Sequence, residues 1–254
     1  MTLTDTPVLP AGFALHHLDM VSSTMDEARS LVAGDPALAQ VVWSDTQSGG
    51  RGRRGREWIS PVGNLYLTVA IRNEVPIARA AECSFVAALA LYTAIVDLRP
   101  ALADKLRLKW PNDLLIGAAK TAGLLLELEA GGKWMLIGCG VNVASGPEGM
   151  PYPTTSLLDQ GAYVPPGQLL QAFIDELQKW HTLWVKEGFS PIRSAWLNHA
   201  MGLGEDVTAN LGDRSVRGVF QDLDASGALR LRLSDGEVMT IAAGDIVFPN
   251  ALGG

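Results

Sequence analysis

Four arginines fall within six positions, at Arg51, Arg53, Arg54 and Arg56, and glycines at 49, 50, 52 and 55 are interleaved with them. Glycine permits positive φ and close approach of the backbone. Successive backbone N–H groups can cradle an anion, and guanidinium groups fork onto phosphate and carboxylate oxygens. The run from Gln47 to Trp58 therefore reads as a clamp for a phosphate or an adenylate. Gly50-x-Gly52-x-x-Gly55 also spells the dinucleotide fingerprint, but that motif must open a helix. Here the chain runs on through Trp58, Pro61 and Gly63 instead. A solvated basic loop is the plainer alternative, and it leaves the interleaved glycines without a purpose.

A second segment is Lys109-Trp110-Pro111-Asn112-Asp113, with Lys120 after a Gly117-Ala118-Ala119 turn. The compact charge of a lysine suits a carboxylate or an α-phosphate. Taken alone, Lys120 is more simply a surface residue, and Asn112 and Asp113 are more simply turn residues. A third segment is Gly138-Cys139-Gly140-Val141-Asn142-Val143. Period-two alternation puts 138, 140 and 142 on one face of a strand, open enough for a flat ligand such as a purine or for close packing against a helix. Phosphate-binding P-loop, nucleophile-elbow and His-Glu-x-x-His patterns are missing. The four histidines are scattered, and Cys83 and Cys139 sit in apolar runs that suggest buried small hydrophobes rather than ligands or a disulfide.

Elements must hold these segments in place. Strands are expected at residues 13–18, 41–43, 65–71, 107–110, 114–116, 122–129 and 135–143, from their alternation and turn punctuation. Helices are expected from an N-cap at Ser22-Ser23-Thr24, over 77–98, over 168–186 and over 192–199. Strand following strand in the middle of the chain predicts an α+β domain with a mixed, largely antiparallel sheet and helices on one face. After Gly202-Leu203-Gly204, short strands at 206–211, 215–223, 228–233 and 238–242 alternate with turns, a small all-β barrel or sandwich. The expected organisation is a domain over 1–201 and a second over 202–254. The 254 residues carry a net charge of −7, which disfavours non-specific nucleic-acid binding. The apolar run 83–96 is short for a bilayer span and no secretory leader is visible, so a cytoplasmic protein without membrane attachment is expected.

In this order, the segments resemble the catalytic domain of biotin–protein ligases. The matching pieces are Ser22-Ser23-Thr24, the run Thr46 to Trp58, Asn64-Leu65-Tyr66-Leu67, Lys109 to Asp113, Lys120 to Glu127, and Gly138 to Val143. The likeness covers residues 15 to 200. The tail is similar to the SH3-like β-barrel that follows this domain, and the fold implied is that of the class II aminoacyl-tRNA synthetase and biotin ligase group. The resemblance implies a reaction in which ATP, with Mg²⁺, and biotin give biotinyl-5′-adenylate. A lysine of a biotin carboxyl carrier protein domain, as in acetyl-CoA carboxylase, then takes up the biotin.

Roles follow residue by residue from the resemblance. Ser23, Thr24, Met25 and Gln47 fall at the biotin ring, and Arg51, Gly52 and Arg53 in the loop that closes over biotin and the adenylate. Lys120 falls between carboxylate and α-phosphate, and Gly123 beside the biotin chain. Arg53, Arg54, Arg56, Trp58, Lys109, Asn112, Asp113 and Asn142 fall on the ATP side; Lys120 and Arg53 are the expected catalytic pair, and no metal ligands are indicated. The family often has Asn where Met25 stands, and a more usual aliphatic residue or Ala where Cys139 stands. Some relatives carry a DNA-binding helix-turn-helix; roughly a dozen residues before the first strand leave no room for one, so no DNA binding is expected. Homodimers through sheet edges occur in several members. The competing readings are a lipoate- or octanoate-attaching enzyme of the same superfamily and a non-catalytic biotin binder. The Gly/Arg loop disfavours the first, and the presence of both Lys120 and Arg53 the second.

Overall fold

The structure, a computed structural model, describes residues 7–248; residues 1–6 and 249–254, at the outer ends of the two expected domains, lie outside the described residues. The chain lays down β1 (Phe13–Val21), α1 (Thr24–Val32), β2 (Ala39–Gln47), β3 (Leu65–Arg72), α2 (Cys83–Leu98), β4 (Leu106–Lys109), β5 (Asp113–Ile116), β6 (Ala119–Leu128) and β7 (Trp134–Val141). Then come α3 (Pro166–Glu187), α4 (Phe189–Asn198), β8 (Asp206–Asn210), β9 (Ser215–Leu223), β10 (Leu229–Arg232), β11 (Val238–Ile241) and β12 (Asp245–Val247).

The first seven strands form one sheet in the order β1-β2-β3-β7-β6-β5-β4. All neighbours are antiparallel except β1 and β2, which run parallel because α1 carries the chain back between them. This is the mixed, largely antiparallel sheet expected. Alternation sorts its side chains. Val41, Leu67, Val69, Ile137 and Cys139 join a core with α2, α3 and α4. Val42, Ala70, Trp134 and Leu136 point the other way and pack with Met25, Ala28 and Val32 of α1. The long helices thus cover one face, while the short α1 lies on the opposite face, which the expectation of helices on one face did not include. Period two explains it: β2, β3 and β7 carry apolar residues at consecutive positions, so both faces need covering.

The expected helix over 77–98 begins as a 3-10 turn, Ile77–Glu82, and becomes α-helical at Cys83. It is apolar enough by composition to cross a membrane, yet 67% of its most apolar window is buried. A helix apolar all round is a core helix when sheet and neighbouring helices surround it, and Val86, Ala87, Ala90, Leu91 and Ile95 are fully enclosed. Each enclosed leucine or isoleucine contributes about 1.5–3 kcal/mol relative to exposure.

The last five strands form an antiparallel sheet, β11-β10-β9-β8-β12. Four match the expected strands; β12 was not read, being three residues long and following Ala243-Gly244. Its core residues Phe220, Leu231 and Ile246 are continuous with the main core. The indole N–H of Trp110 donates to the Gly227 carbonyl at 3.0 Å, pinning the small sheet to the end of β4.

Candidate active site

Ser23 occupies the N-cap of α1 in extended conformation, but its hydroxyl makes no cap hydrogen bond. Ser23 is largely buried and lines a cleft over the α1 face of the sheet. Beside it, Thr24 donates its backbone N–H to Gln47 Oε1 at 2.9 Å, and its hydroxyl shares a 2.9 Å hydrogen bond with Thr68. Gln47 Nε2 donates to Ser60 Oγ at 3.1 Å. These buried polar groups hold one another in fixed orientation, which makes this end of the cleft a preorganised hydrogen-bonding wall.

The Gly/Arg segment is not shapeless. Arg51 pairs with Glu57 across an antiparallel bridge, and Arg54 and Gly55 have φ of 58° and 72°. Gly52 donates its N–H to the Arg56 carbonyl at 2.7 Å, so the hairpin closes around Arg53, Arg54 and Gly55, and positive φ at the last two turns the chain sharply. The fingerprint glycines open no α-helix, consistent with setting the dinucleotide reading aside. Arg51 grips Asp26 of α1 through both guanidinium nitrogens, at 2.8 and 2.6 Å. The Arg51 hydrogen bonds hold the Asp26 carboxyl below its usual value, the Arg51 and Arg29 charges adding to them against burial. Arg53 Nη1 lies 3.3 Å from Asn112 Oδ1, 3.3 Å from the Gly244 carbonyl and 3.5 Å from Asp245 Oδ1. Burial draws the Arg53 guanidinium down from its usual value, with Asp245 opposing.

Trp58, at the end of the hairpin, lies over Gly123 of β6 and Gly140 of β7. A Cβ on Gly123 would stand 2.9 Å from its ring, and one on Gly140 2.5 Å. Glycine is required there because an indole and a strand backbone are in direct contact. The Trp58 ring N–H is buried without a partner among the described residues. The third glycine, Gly138, faces the Met25 methyl. Cys139 alternates to the helix-packed side, where burial pushes its thiol far up.

Lys120 stands beside an irregularity in the β5–β6 register, and such bulges re-aim side chains. Its backbone is tied to the segment after β7 by Lys120 N–H to Pro153 O at 2.8 Å and Thr155 N–H to Lys120 O at 3.0 Å. Its Nζ is 2.7 Å from Asp113 Oδ1, an ion pair at an angle that leaves this buried oxygen without a directed donor. The ammonium lies 5.3 Å from the Trp58 ring centre and 5.6 Å from that of Tyr152, close enough for cation–π attraction.

The cleft of about 70 Å³ gathers Ser23, Thr24, Met25, Gln47, Arg51, Gly52, Arg53, Arg56, Trp58, Asn112, Asp113, Lys120 and Gly123. It adjoins a groove of about 720 Å³ between the two sheets, which Lys109 lines. Burial lowers the Lys109 ammonium from its usual value, with Asp113 opposing. Arg54 lines neither cavity and sits 3.8 Å from Asp245. Asn142 borders a small third cavity, and its amide nitrogen donates to the Thr155 carbonyl at 3.1 Å. That amide ties the end of β7 to the chain beside Lys120. Tyr152, Asp245 and Glu57 line both larger cavities and were not singled out in the sequence. An aromatic between prolines, Pro151-Tyr152-Pro153, was the available signal for the first.

Among the described residues no three His, Cys, Asp or Glu side chains converge as a metal site. A Mg²⁺ carried on nucleotide phosphates with its own waters, as this cation commonly is, would need no such cluster. Chemically, the arrangement offers a polar wall at one end, an indole packed directly on the strands, and a set of cations beside it. It suits activation of a carboxylic acid by phosphate chemistry.

Known proteins agree. The profile of the Biotin/lipoate A/B protein ligase family matches residues 19–143, and that of the Biotin protein ligase C terminal domain matches residues 202–248. A biotin–[acetyl-CoA-carboxylase] ligase of Paracoccus denitrificans is 38% identical over 91% of this chain and 99% of its own length. One from Mycobacterium tuberculosis is 29% identical over 94% of this chain and 92% of its own. The biotin protein ligase of Aquifex aeolicus in complex with biotin and ATP superposes with a TM-score of 0.80 at 24% identity, covering 92% of this chain and 97% of that one, a likeness of fold. That of Leishmania major in complex with biotinyl-5-AMP gives 0.66 at 26%, covering 92% and 100%. Likeness running the full length of the Paracoccus ligase, on a fold with the same two parts, makes this chain a member of the biotin protein ligase family.

Proposed function

We propose that the chain condenses biotin with ATP to biotinyl-5′-adenylate and pyrophosphate, and then transfers biotin to a lysine of a carboxylase carrier domain, such as that of acetyl-CoA carboxylase. The carrying observation is that Arg53, Asp113, Trp58 and Lys120, from three separate segments, line one cleft whose far end is the Ser23–Thr24–Gln47 wall. The ureido ring of biotin meets that wall, with Met25 beneath it. The acyl chain passes beside Gly123 at the edge of the Trp58 indole, and Arg51 and Gly52 close the hairpin above. Lys120 lies between the carboxylate and the α-phosphate, where its charge stabilises the in-line transition state. Arg53 holds the phosphate, with Arg54 and Arg56 behind it. Asn112, Asp113 and Lys109 face the nucleotide, and a Mg²⁺ held on the phosphates would supply further neutralisation of their charge. Catalysis by positioning needs no covalent enzyme intermediate.

In this reading residues 1–201 form the catalytic unit and 202–254 the accessory barrel. The protein works in the cytoplasm, attached to neither DNA nor membrane. The net charge of −7 supports the absence of DNA binding. The test is purified protein, ATP and either biotin, lipoate or octanoate. Pyrophosphate should appear with biotin alone, and a carrier-domain lysine should gain the biotinyl mass. Release with lipoate instead would assign the lipoate-attaching activity, and release with none would leave a binder.

A further inference from the structure

Three guanidinium groups of the hairpin converge on one carboxylate from the far end of the chain. Arg56 hydrogen-bonds Asp245 Oδ2, Arg53 lies 3.5 Å from Oδ1, and Arg54 lies 3.8 Å from Oδ2. Asp245 opens β12, at the edge of the small sheet, and lines both the cleft and the groove. Burial pushes its carboxyl up, but the Arg56 hydrogen bond and the charges of Arg56, Arg53 and Arg54 outweigh this and hold it below its usual value.

The two sides of this contact differ in how firmly they are held. β12 pairs with β8 in regular register, and Ile246 is fully buried. Arg193 forms an ion pair with Asp222 and Trp110 bonds Gly227, so the small sheet is fixed to the main body. The hairpin Arg51–Glu57 is exposed along most of its length. Its side chains are tied down at Asp26 on one side and at Asp245 and Asn112 on the other. With three cations to one anion the cluster keeps net positive charge, so it still attracts phosphate while Asp245 fixes where the guanidiniums stand.

We infer that Asp245 is a positioning residue for the phosphate-holding arginines, and that the small C-terminal sheet thereby sets how well the cleft retains its adenylate. Its consequence for adenylate rests on the proposed ligase reading; the tether itself does not. An ion pair on a fixed strand lowers the opening rate of a loop without touching the reacting atoms. Loss of the carboxylate should therefore appear as leakage before it appears as failed chemistry.

The test compares wild type, Asp245→Asn and Asp245→Glu. Trypsin cutting after Arg51, Arg53, Arg54 and Arg56 is followed without any ligand, and release of preformed biotinyl-adenylate is followed by chase. Asp245→Asn should raise both rates about tenfold, between the scale for an exposed ion pair and that for a fully buried one, at an unchanged melting midpoint, and Asp245→Glu should restore most of the loss. Wild-type rates in Asp245→Asn would overturn the inference. So would a fall in melting midpoint with cutting spread over the whole chain in both variants, the mark of a merely structural residue. A failed ligase reading looks different: wild type would release no pyrophosphate with ATP and biotin, while hairpin cutting would still respond to Asp245→Asn.

Discussion

Gly140→Ala should weaken biotin binding without unfolding the protein. The new methyl would lie 2.5, 2.6 and 2.7 Å from three atoms of the Trp58 indole. Carbon contacts settle near 3.5–4.0 Å, so the ring or the strand must give by about 1 Å. The strand is the stiffer partner, because Gly140 pairs with Tyr66 on one side and Gly123 on the other in the middle of the sheet. Trp58 sits on a hairpin whose side chains are anchored by a few ion pairs. Overpacking costs about 1–3 kcal/mol. Charged to the hairpin's closed position, that is roughly 5- to 150-fold in affinity. Gly138→Ala is the milder comparison: its nearest neighbour at 2.9 Å is the terminal methyl of Met25, a flexible end that can shift within the floor of the cleft, so its loss of affinity should be smaller than that of Gly140→Ala. Calorimetric titration with biotin and a melting curve separate the outcomes. Binding by Gly140→Ala within twofold of wild type, or a drop in melting midpoint with affinity preserved, would show that the strand yields and that the indole is not part of the closed site.

Lys120→Ala should slow adenylate formation by about 10²–10³, the scale for losing one transition-state donor, with biotin affinity within a few-fold; pyrophosphate exchange measures the first and calorimetry the second, and unchanged exchange would remove Lys120 from the chemistry. Arg53→Gly should let adenylate escape, seen as biotin on bystander lysines by mass spectrometry, whereas strict acceptor specificity in that variant would count against the clamp. His181 is lowered from 6.5 by burial, with the Glu74 charge opposing. The unfolded chain therefore takes up its proton first, and stability present above 6.5 declines as pH falls through the folded value. Melting midpoints of wild type should fall from about pH 7 to about pH 5 more steeply than those of His181→Leu, and parallel curves would refute this.

Local pattern made much of this molecule readable before its structure. The central strands carry strong alternation, and the apolar run after Cys83 could only be a core helix. What escaped depends on partners distant in sequence. The face that α1 covers is set by Val42 and Ala70, whose apolar character is indistinguishable in sequence from that of Val41 and Val69 on the other side. β12 is too short to show a period, and its only evidence is pairing with β8. The hairpin turn at Arg54-Gly55 was hidden because arginine seldom takes positive φ. Asp245 looked like one more surface acid, since the arginines it faces lie some 190 positions earlier.

Met25 illustrates how a departure from the family pattern is absorbed. A polar side chain at this position would sit among Ala28, Val32, Val42, Ala70, Trp134 and Leu136, where Met25 itself is 3% exposed. A buried amide without partners costs about 1–3 kcal/mol on the scale of protein substitutions. Methionine avoids that penalty, and its flexible thioether reaches the gap left over Gly138. The polar wall is not thinned as a result, because Thr24 and Gln47 already satisfy each other and Thr68 closes the chain behind them. With Thr24 held in this way, the Ser23 hydroxyl is left free of the helix and available to a ligand. In the proposed reading, recognition at this end of the cleft would rest on the serine and on the fixed orientation of its neighbours, with the apolar floor setting depth rather than specificity.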